Sequence, residues 1–442
     1  MIGRPVALLL GLLTLALALL PLPVGAAGKK KPAETVAPPP PAPVEPKVFF
    51  KTTYRAIVEA GDYEELKTRV PDGMTVMKSE DGHSGYLLKT VPVTSEEQLI
   101  GLMGATSTAG LTDGQRGLVA AYRFSCSPAV GQYTPYFPYP AATFTIELND
   151  TTGFDDETRF PAVQNDFWPR NGRMVWTLDG KPSAAEFTIC MSPVATRGFG
   201  VDTAPQMYSI MIHELAHSLD LTAAEEGAYG KDGTHYFNER IGERAAFQEG
   251  FADYAQFALE PSLVDRYRRD LDRVKLEGEN GYTTLSATDT ALPAADLLRV
   301  EGVVALTLFR MSRTIPGGGR KILAAFKASN ATDNTFPRFL KTYAGQNPDA
   351  VASVAAALDA ETHGRLTAGE LRSLLGSSPA LEEYLAGRAA PADEAPGAVF
   401  APVALPPTPV APPQDGVTQS TTAIRQPVRL APEDTSPFAD GE

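Results

Sequence analysis

The chain changes character once, and the change limits its architecture. Between residues 120 and 192 it runs in short β-type stretches, "TFTIELN", "RMVWTLDG" and "AEFTICMS", separated by Gly, Pro, Asn and Asp. Beyond residue 202 nearly every stretch carries apolar residues at helical spacing. Strands followed by helices, without regular alternation, predict an α+β architecture. Ahead of the strands the pattern is mixed. "YRAIVEAGDYEELKTRV" reads as helix, and "TSEEQLIGLMG" opens with a Ser/Thr cap and an acidic first turn. No internal repeat is visible.

The two ends do not fit a packed core. Residues 1–27 place Arg4 ahead of a leucine-rich run, then Pro21, Pro23 and the small residues "VGAAG", which is the order of a secretory signal peptide. The apolar run is shorter than the ~20 residues that span a bilayer. No cysteine lies near the expected cleavage site, so a lipid anchor there is excluded. Residues 28–47 form a proline-dense linker and residues 388–442 a Pro-rich tail, both expected to stay extended and unpacked. Between them we expect a mixed N-terminal region at 48–120 and a larger domain at 121–387. The expected location is secreted or periplasmic, with no membrane span once the leader is removed.

Export bears on the two cysteines. Cys126 and Cys190 can pair in an oxidising compartment, and theirs is the single disulfide the composition permits. The net charge of −14 becomes −15 without Arg4. So acidic a chain disfavours nucleic acid and anionic membrane surfaces as partners.

Chemistry concentrates in "DTAPQMYSIMIHELAHSLDL". Asp202 or Thr203 can cap a helix, Pro205 suits its first turn, and Met207, Ile210, Met211, Leu215 and Leu219 recur at helical spacing. Residues four apart share a helix face, so His213 and His217 can present two imidazoles to one ion. Zinc accepts neutral imidazole, and a catalytic zinc site uses three protein ligands and keeps one position open. Glu214 lies beside that open position, where a carboxylate can take a proton from water. The chain has only 5 histidines, which makes a chance HExxH pattern rare.

The third ligand must come from elsewhere. A metzincin would place a histidine at Ala223 and a glycine at Asp220, so that class is out. Downstream, "NERIGERAAFQEGFADYAQFALE" reads as a second helix with an apolar stripe through Ala246, Phe247, Phe251, Tyr254, Ala255 and Ala258. Glu249 sits among these residues, and a carboxylate on a core-facing stripe needs a partner. Asp253 lies one turn later on the same face, where it can accept the free ring N–H of a ligand histidine. The rivals are Glu225, Glu226, Asp232, Glu239 and Glu243. Glu225 and Glu226 follow the motif helix closely, Asp232 lies in a turn-like segment, and Glu239 and Glu243 are flanked by arginines that suit solvent-exposed pairs.

"HELAH" followed by "EGFADY" resembles the gluzincin metallopeptidases, over residues 212–220 and 248–254 with the segment between them unaligned. The resemblance implies a zincin-like metallopeptidase domain, mainly helical, with the strand-containing N-terminal part packed on it. It implies His213, His217 and Glu249 as ligands of one Zn²⁺, Glu214 as general base and Asp253 as brace of a ligand histidine. Asp220, three residues after His217, also resembles the lethal-factor-like branch. The expected substrate is a peptide or protein, aligned along an edge strand. A donor to the developing oxyanion is also required; the candidates are His235, Tyr236 and Tyr254. The competing expectation is a metal-stabilised binding protein without turnover, although an intact Glu214 has no use in a purely structural site.

A weaker pattern, "DAETHGRLTAGE", has Asp359, Glu361, Gly364, Thr367 and Glu370 at EF-hand spacing, which makes Ca²⁺ the alternative to a helix–turn–helix capped by Gly364 and by Thr367 with Glu370. His363 occupies a position where calcium wants an oxygen.

Overall fold

The computed structural model describes residues 46–156, 158–167, 170–178, 181–193, 204–220, 237–271, 274–275, 282–283, 293–329 and 334–388. The expected leader, nearly all of the proline-dense linker, the C-terminal tail from residue 389, His235, Tyr236 and the rivals Glu225, Glu226 and Asp232 lie outside the described residues.

Among the described residues, one sheet contains β1 (Lys47–Asp62), β2 (Met74–Lys78), β3 (Ser84–Pro92), β4 (Ala141–Asp150), β5 (Arg170–Leu178) and β6 (Lys181–Met191), in the order β2-β3-β1-β4-β6-β5. β4 runs parallel to both β1 and β6, and the other pairs are antiparallel. The helices of the first half are α1 (Tyr63–Thr68), α2 (Glu96–Leu102), α3 (Asp113–Ser125), α4 (Pro128–Gly131), α5 (Pro161–Asp166) and α6 (Ala204–His217). Those of the second half are α7 (Glu243–Leu259), α8 (Leu263–Asp270), α9 (Glu301–Thr314), α10 (Gly318–Ser329), α11 (Phe336–Gln346), α12 (Val351–Glu361), α13 (Ala368–Leu375) and α14 (Pro379–Gly387). The architecture is mixed α+β: a sheet in the N-terminal part and a helical C-terminal region.

The helix expected over residues 54–70 is mostly strand. Tyr54, Arg55 and Ala56 pair with Val91, Thr90 and Lys89 of β3 and with Leu148, Asn149 and Asp150 of β4. Pairing on both edges satisfies the backbone, and tertiary context overrides the local helical preference of an Ala- and Glu-rich run. Only α1 is helical, started by Asp62, whose carboxylate accepts from the Glu65 N–H at 2.9 Å. α2 begins where its sequence signal lies, with the Ser95 hydroxyl accepting from the Gln98 N–H. The boundary expected near residue 120 falls within α3, and the ten-residue β1–β4 pairing makes one sheet of both parts.

Alternation along the strands decides which face meets the helices. Ala142, Phe144, Ile146 and Leu148 of β4, with Ala185, Phe187, Ile189 and Met191 of β6, join the main core. Register sets Phe144 between Phe50 and Phe187, and the rings stack at centroid distances of 5.1 and 4.8 Å. Each such buried ring contributes about 1.5–3 kcal/mol. The opposite face carries Arg55 paired with Glu147, and a smaller cluster of Ile57, Tyr86, Leu88, Val163 and Phe167.

This alternation also corrects the expected disulfide. Both cysteines are free. Cys190, between the core residues Ile189 and Met191, points to the opposite face and donates to Glu147 Oε2 at 3.5 Å. Cys126 is exposed at the end of α3, a helix that packs on the core face. The sheet therefore stands between the two thiols. Burial, then the Glu147 carboxylate, pushes the Cys190 thiol up to about 11.

α7 is the central helix of the second half, with every residue from Ala245 to Phe257 buried. Gly250 sets its approach to α9: a Cβ there would lie 2.7 Å from the Glu301 carbonyl oxygen and 2.7 Å from Val304 Cβ. The absence of a side chain lets the two helices meet backbone to side chain.

Candidate metal centre

α6 is largely buried, with Met207, Ile210, Met211, Ile212, Leu215 and Ala216 all in the core. Its last turn tightens: the N–H groups of Ser218, Leu219 and Asp220 bond the carbonyls of Leu215, Ala216 and His217, three residues back. His213 and His217 stand one helical turn apart at this end of α6, their ring centroids 4.8 Å apart. α7 packs against it and brings Glu249 to both rings. Glu249 Oε2 lies 3.4 Å from His213 Nε2 and 3.3 Å from His217 Nε2. Asp253 Oδ1 stands 3.1 Å from His213 Nδ1.

The three side chains offer ligand atoms that all lie within 4.8 Å of one another. A tetrahedral ion with bonds of about 2.0–2.2 Å would hold its ligand atoms roughly 3.4 Å apart, close to the two separations from Glu249. His213 Nε2 is buried and has no hydrogen-bond partner. A buried ring nitrogen without a partner costs free energy that a metal ion would remove. His213, His217 and Glu249 thus fit a metal ion. Two imidazoles and a carboxylate are a donor set suited to zinc, with the Asp253 carboxylate bracing one ring as metal-site histidines require. His217, with 16% of its side chain exposed against 7% for His213 and 3% for Glu249, marks the side open to solvent.

Electrostatics agree with a site that wants positive charge. Burial alone would depress the His213 imidazole, but its hydrogen bond to Asp253, the Glu249 carboxylate beside it, and the charges of Asp253 and Glu214 raise it well above its ordinary value. His217 is likewise depressed by burial and raised on balance, chiefly by Glu249. Glu214 is 2% exposed, and its charge acts on both rings.

Two further residues complete the surroundings. Glu301, buried as the first residue of α9, is raised well above the carboxylate range by burial, then by Asp253, with which it shares a side-chain hydrogen bond. Asp220 is 3% exposed and accepts from Gln248 Nε2 at 3.1 Å, so it staples α6 to α7. The sequence signal for Glu301 was the same as for Glu249, an acid on an otherwise apolar helix, "EGVVALTLF".

Other expectations are corrected. Tyr254 is buried on a different side of α7, its hydroxyl beside Ser312 and the Gly319 backbone, and does not face the ligands. Five residues along a helix rotate a side chain by about 140° from Glu249, whereas the four residues to Asp253 nearly restore the face. Glu239, expected in a solvent-exposed pair, is 4% exposed, while Glu243 is exposed as expected. The calcium loop is closed by the protein's own donors. Asp359 binds Tyr384 and Arg388, Glu361 binds Arg268 and Arg310, and Glu370 caps α13 with Thr367. The helix–turn–helix reading describes this segment, with His363 and Gly364 at φ 53° and 67° in the turn.

Comparison with family models, with curated proteins and with solved structures finds no match.

Proposed function

We propose that the protein is an exported zinc-dependent peptidase of gluzincin type, with a zincin-like catalytic domain. One observation carries the reading: His213, His217 and Glu249, from two different helices, converge with Glu214 beside them and Asp253 behind. The bound metal would supply Lewis acidity, polarising a peptide carbonyl and acidifying a water. Glu214 accepts the proton of the attacking water and returns it to the leaving amine. Asp253 accepts from His213 Nδ1–H, which fixes the tautomer and leaves Nε2 to face the metal. Glu301, its carboxyl raised above the ordinary carboxylate range by burial and by Asp253, shares a hydrogen bond with Asp253.

The substrate path has one structural support. Among the described residues β5 is an edge of the sheet, and it lies against α6, through Asn171 to the Glu214 carbonyl. A peptide chain can add to such an edge by main-chain hydrogen bonds. Among the described residues no helix is long and apolar enough to cross a membrane; the export proposal rests on residues 1–27.

The test is cleavage of an unfolded protein by the zinc-loaded wild type beside Glu214→Gln. We expect the variant to keep zinc and fold and to lose about 10²–10⁴-fold in turnover. Equal cleavage by both would refute the mechanism, and a wild type that binds zinc but cleaves nothing would favour the binding-protein reading.

A further inference from the structure

The end of α6 is held by the edge strand at two points. The last carbonyls of a helix have no intrahelical donor. Here the N–H groups of residues 218–220 turn back only three residues, to the carbonyls of Leu215, Ala216 and His217. Asn171 of β5 adds a side-chain donor to the Glu214 carbonyl. Its Nδ2 donates to the Glu214 carbonyl at 2.6 Å and to Ser218 Oγ at 2.7 Å. A carbonyl oxygen only accepts, so the amide must turn its NH₂ toward the helix. Two residues along the same strand face, Arg173 Nη1 donates to the Asp220 carbonyl at 3.0 Å, and Tyr139 reaches the same oxygen at 3.3 Å.

The strand position is itself fixed. Asn171 pairs with Ile189 and Arg173 with Phe187, two core residues of β6. Among the described residues the outer edge of β5 is the sheet edge, and the carbonyl clasped by Asn171 belongs to Glu214, the proposed base. We propose that Asn171 is a positioning residue that sets the separation between a peptide laid along β5 and the metal held by α6. The inference rests on the peptidase reading above. Its physical content is that a peptide anchored on β5 reaches the metal in register only while the clasp holds. Misplacement by about 1 Å is enough to cost ~10²-fold in a positioned reaction.

Linked binding measures that register without turnover. In the zinc-loaded protein, acetohydroxamate reports the metal alone, while a hexapeptide ending in a hydroxamate engages metal and strand together. Two linked contacts gain affinity only when geometry allows both at once. We expect the peptide hydroxamate to bind wild type at least about tenfold more tightly than acetohydroxamate, with the gain lost in Asn171→Ala and Asn171→Asp. Acetohydroxamate itself should bind all three within about threefold, because no metal ligand has changed. Asn171→Asp keeps the shape but sets a carboxylate oxygen against the Glu214 carbonyl, so it provides the reading if Asn171→Ala fails to fold. A full gain in a folded variant overturns the role of Asn171. No gain in wild type overturns it together with the edge-strand path. Absence of zinc or acetohydroxamate binding in wild type overturns the metal reading beneath it.

Discussion

His213 and His217 stand among the carboxylates of Glu214, Glu249 and Asp253, and both imidazoles are raised above their ordinary value despite burial. Glu301 is also raised, by burial and by Asp253. The sign follows directly. A group whose folded pKa lies above its unfolded value contributes stability that is complete below the unfolded value and is lost as pH rises through the folded one. The metal-free protein should therefore lose thermal stability as pH rises above about 6.5, the unperturbed histidine value. Zinc needs neutral imidazole, so its uptake at neutral pH should release protons and its apparent affinity should climb with pH. Thermal melting of chelator-treated and zinc-loaded protein across that range checks both. Zinc affinity flat with pH would contradict protonated rings. Helical spacing pairs His213 with His217 and Glu249 with Asp253 in the sequence, but only the packing of α7 on α6 brings the two pairs together. Glu301 carried the same local signal, an acid on an apolar helix, but its place beside Asp253 comes from the packing of α9 on α7, which no local period encodes.

α7 and α9 meet through Gly250, where the atoms facing a missing Cβ are a backbone oxygen and a β-branched side chain. Neither yields easily. Gly250→Ala should cost about 1–3 kcal/mol, the range for overpacked cores. It should also disturb the neighbouring Glu249. Urea unfolding of the metal-free variant measures this, and an unchanged midpoint would show that the helices have slack. The strands offer a second test, because alternation puts Cys126 and Cys190 on opposite sides of the sheet. In native protein Cys126 should alkylate quickly and Cys190 only after unfolding, as peptide mass mapping would reveal. A crosslinked pair under non-reducing conditions would contradict the sheet register. Strand periodicity marked β4, β5 and β6 in the sequence. It did not mark β1 over residues 54–62, where pairing with both β3 and β4 outweighs a helix-like composition.

The whole molecule joins a sheet in its N-terminal part to a helical region through α6, which packs on α3, on the sheet and on α7. The order of strands and then helices was readable as α+β, whereas the sequence does not show that β1 and β4 run parallel, a pairing that spans the intervening α2 and α3. Residue 120, where composition changes, lies inside α3, and the sheet continues across it through the β1–β4 pairing. What the fold accomplishes is to bring residues 213, 217, 249 and 253 to one place from two helices. Metal content tests that convergence most directly. After dialysis against a mild chelator, wild type should retain one zinc per chain, Glu249→Ala should retain none, and Asp253→Ala should bind about 10–100-fold more weakly. A full zinc complement in a folded Glu249→Ala would contradict the proposed centre.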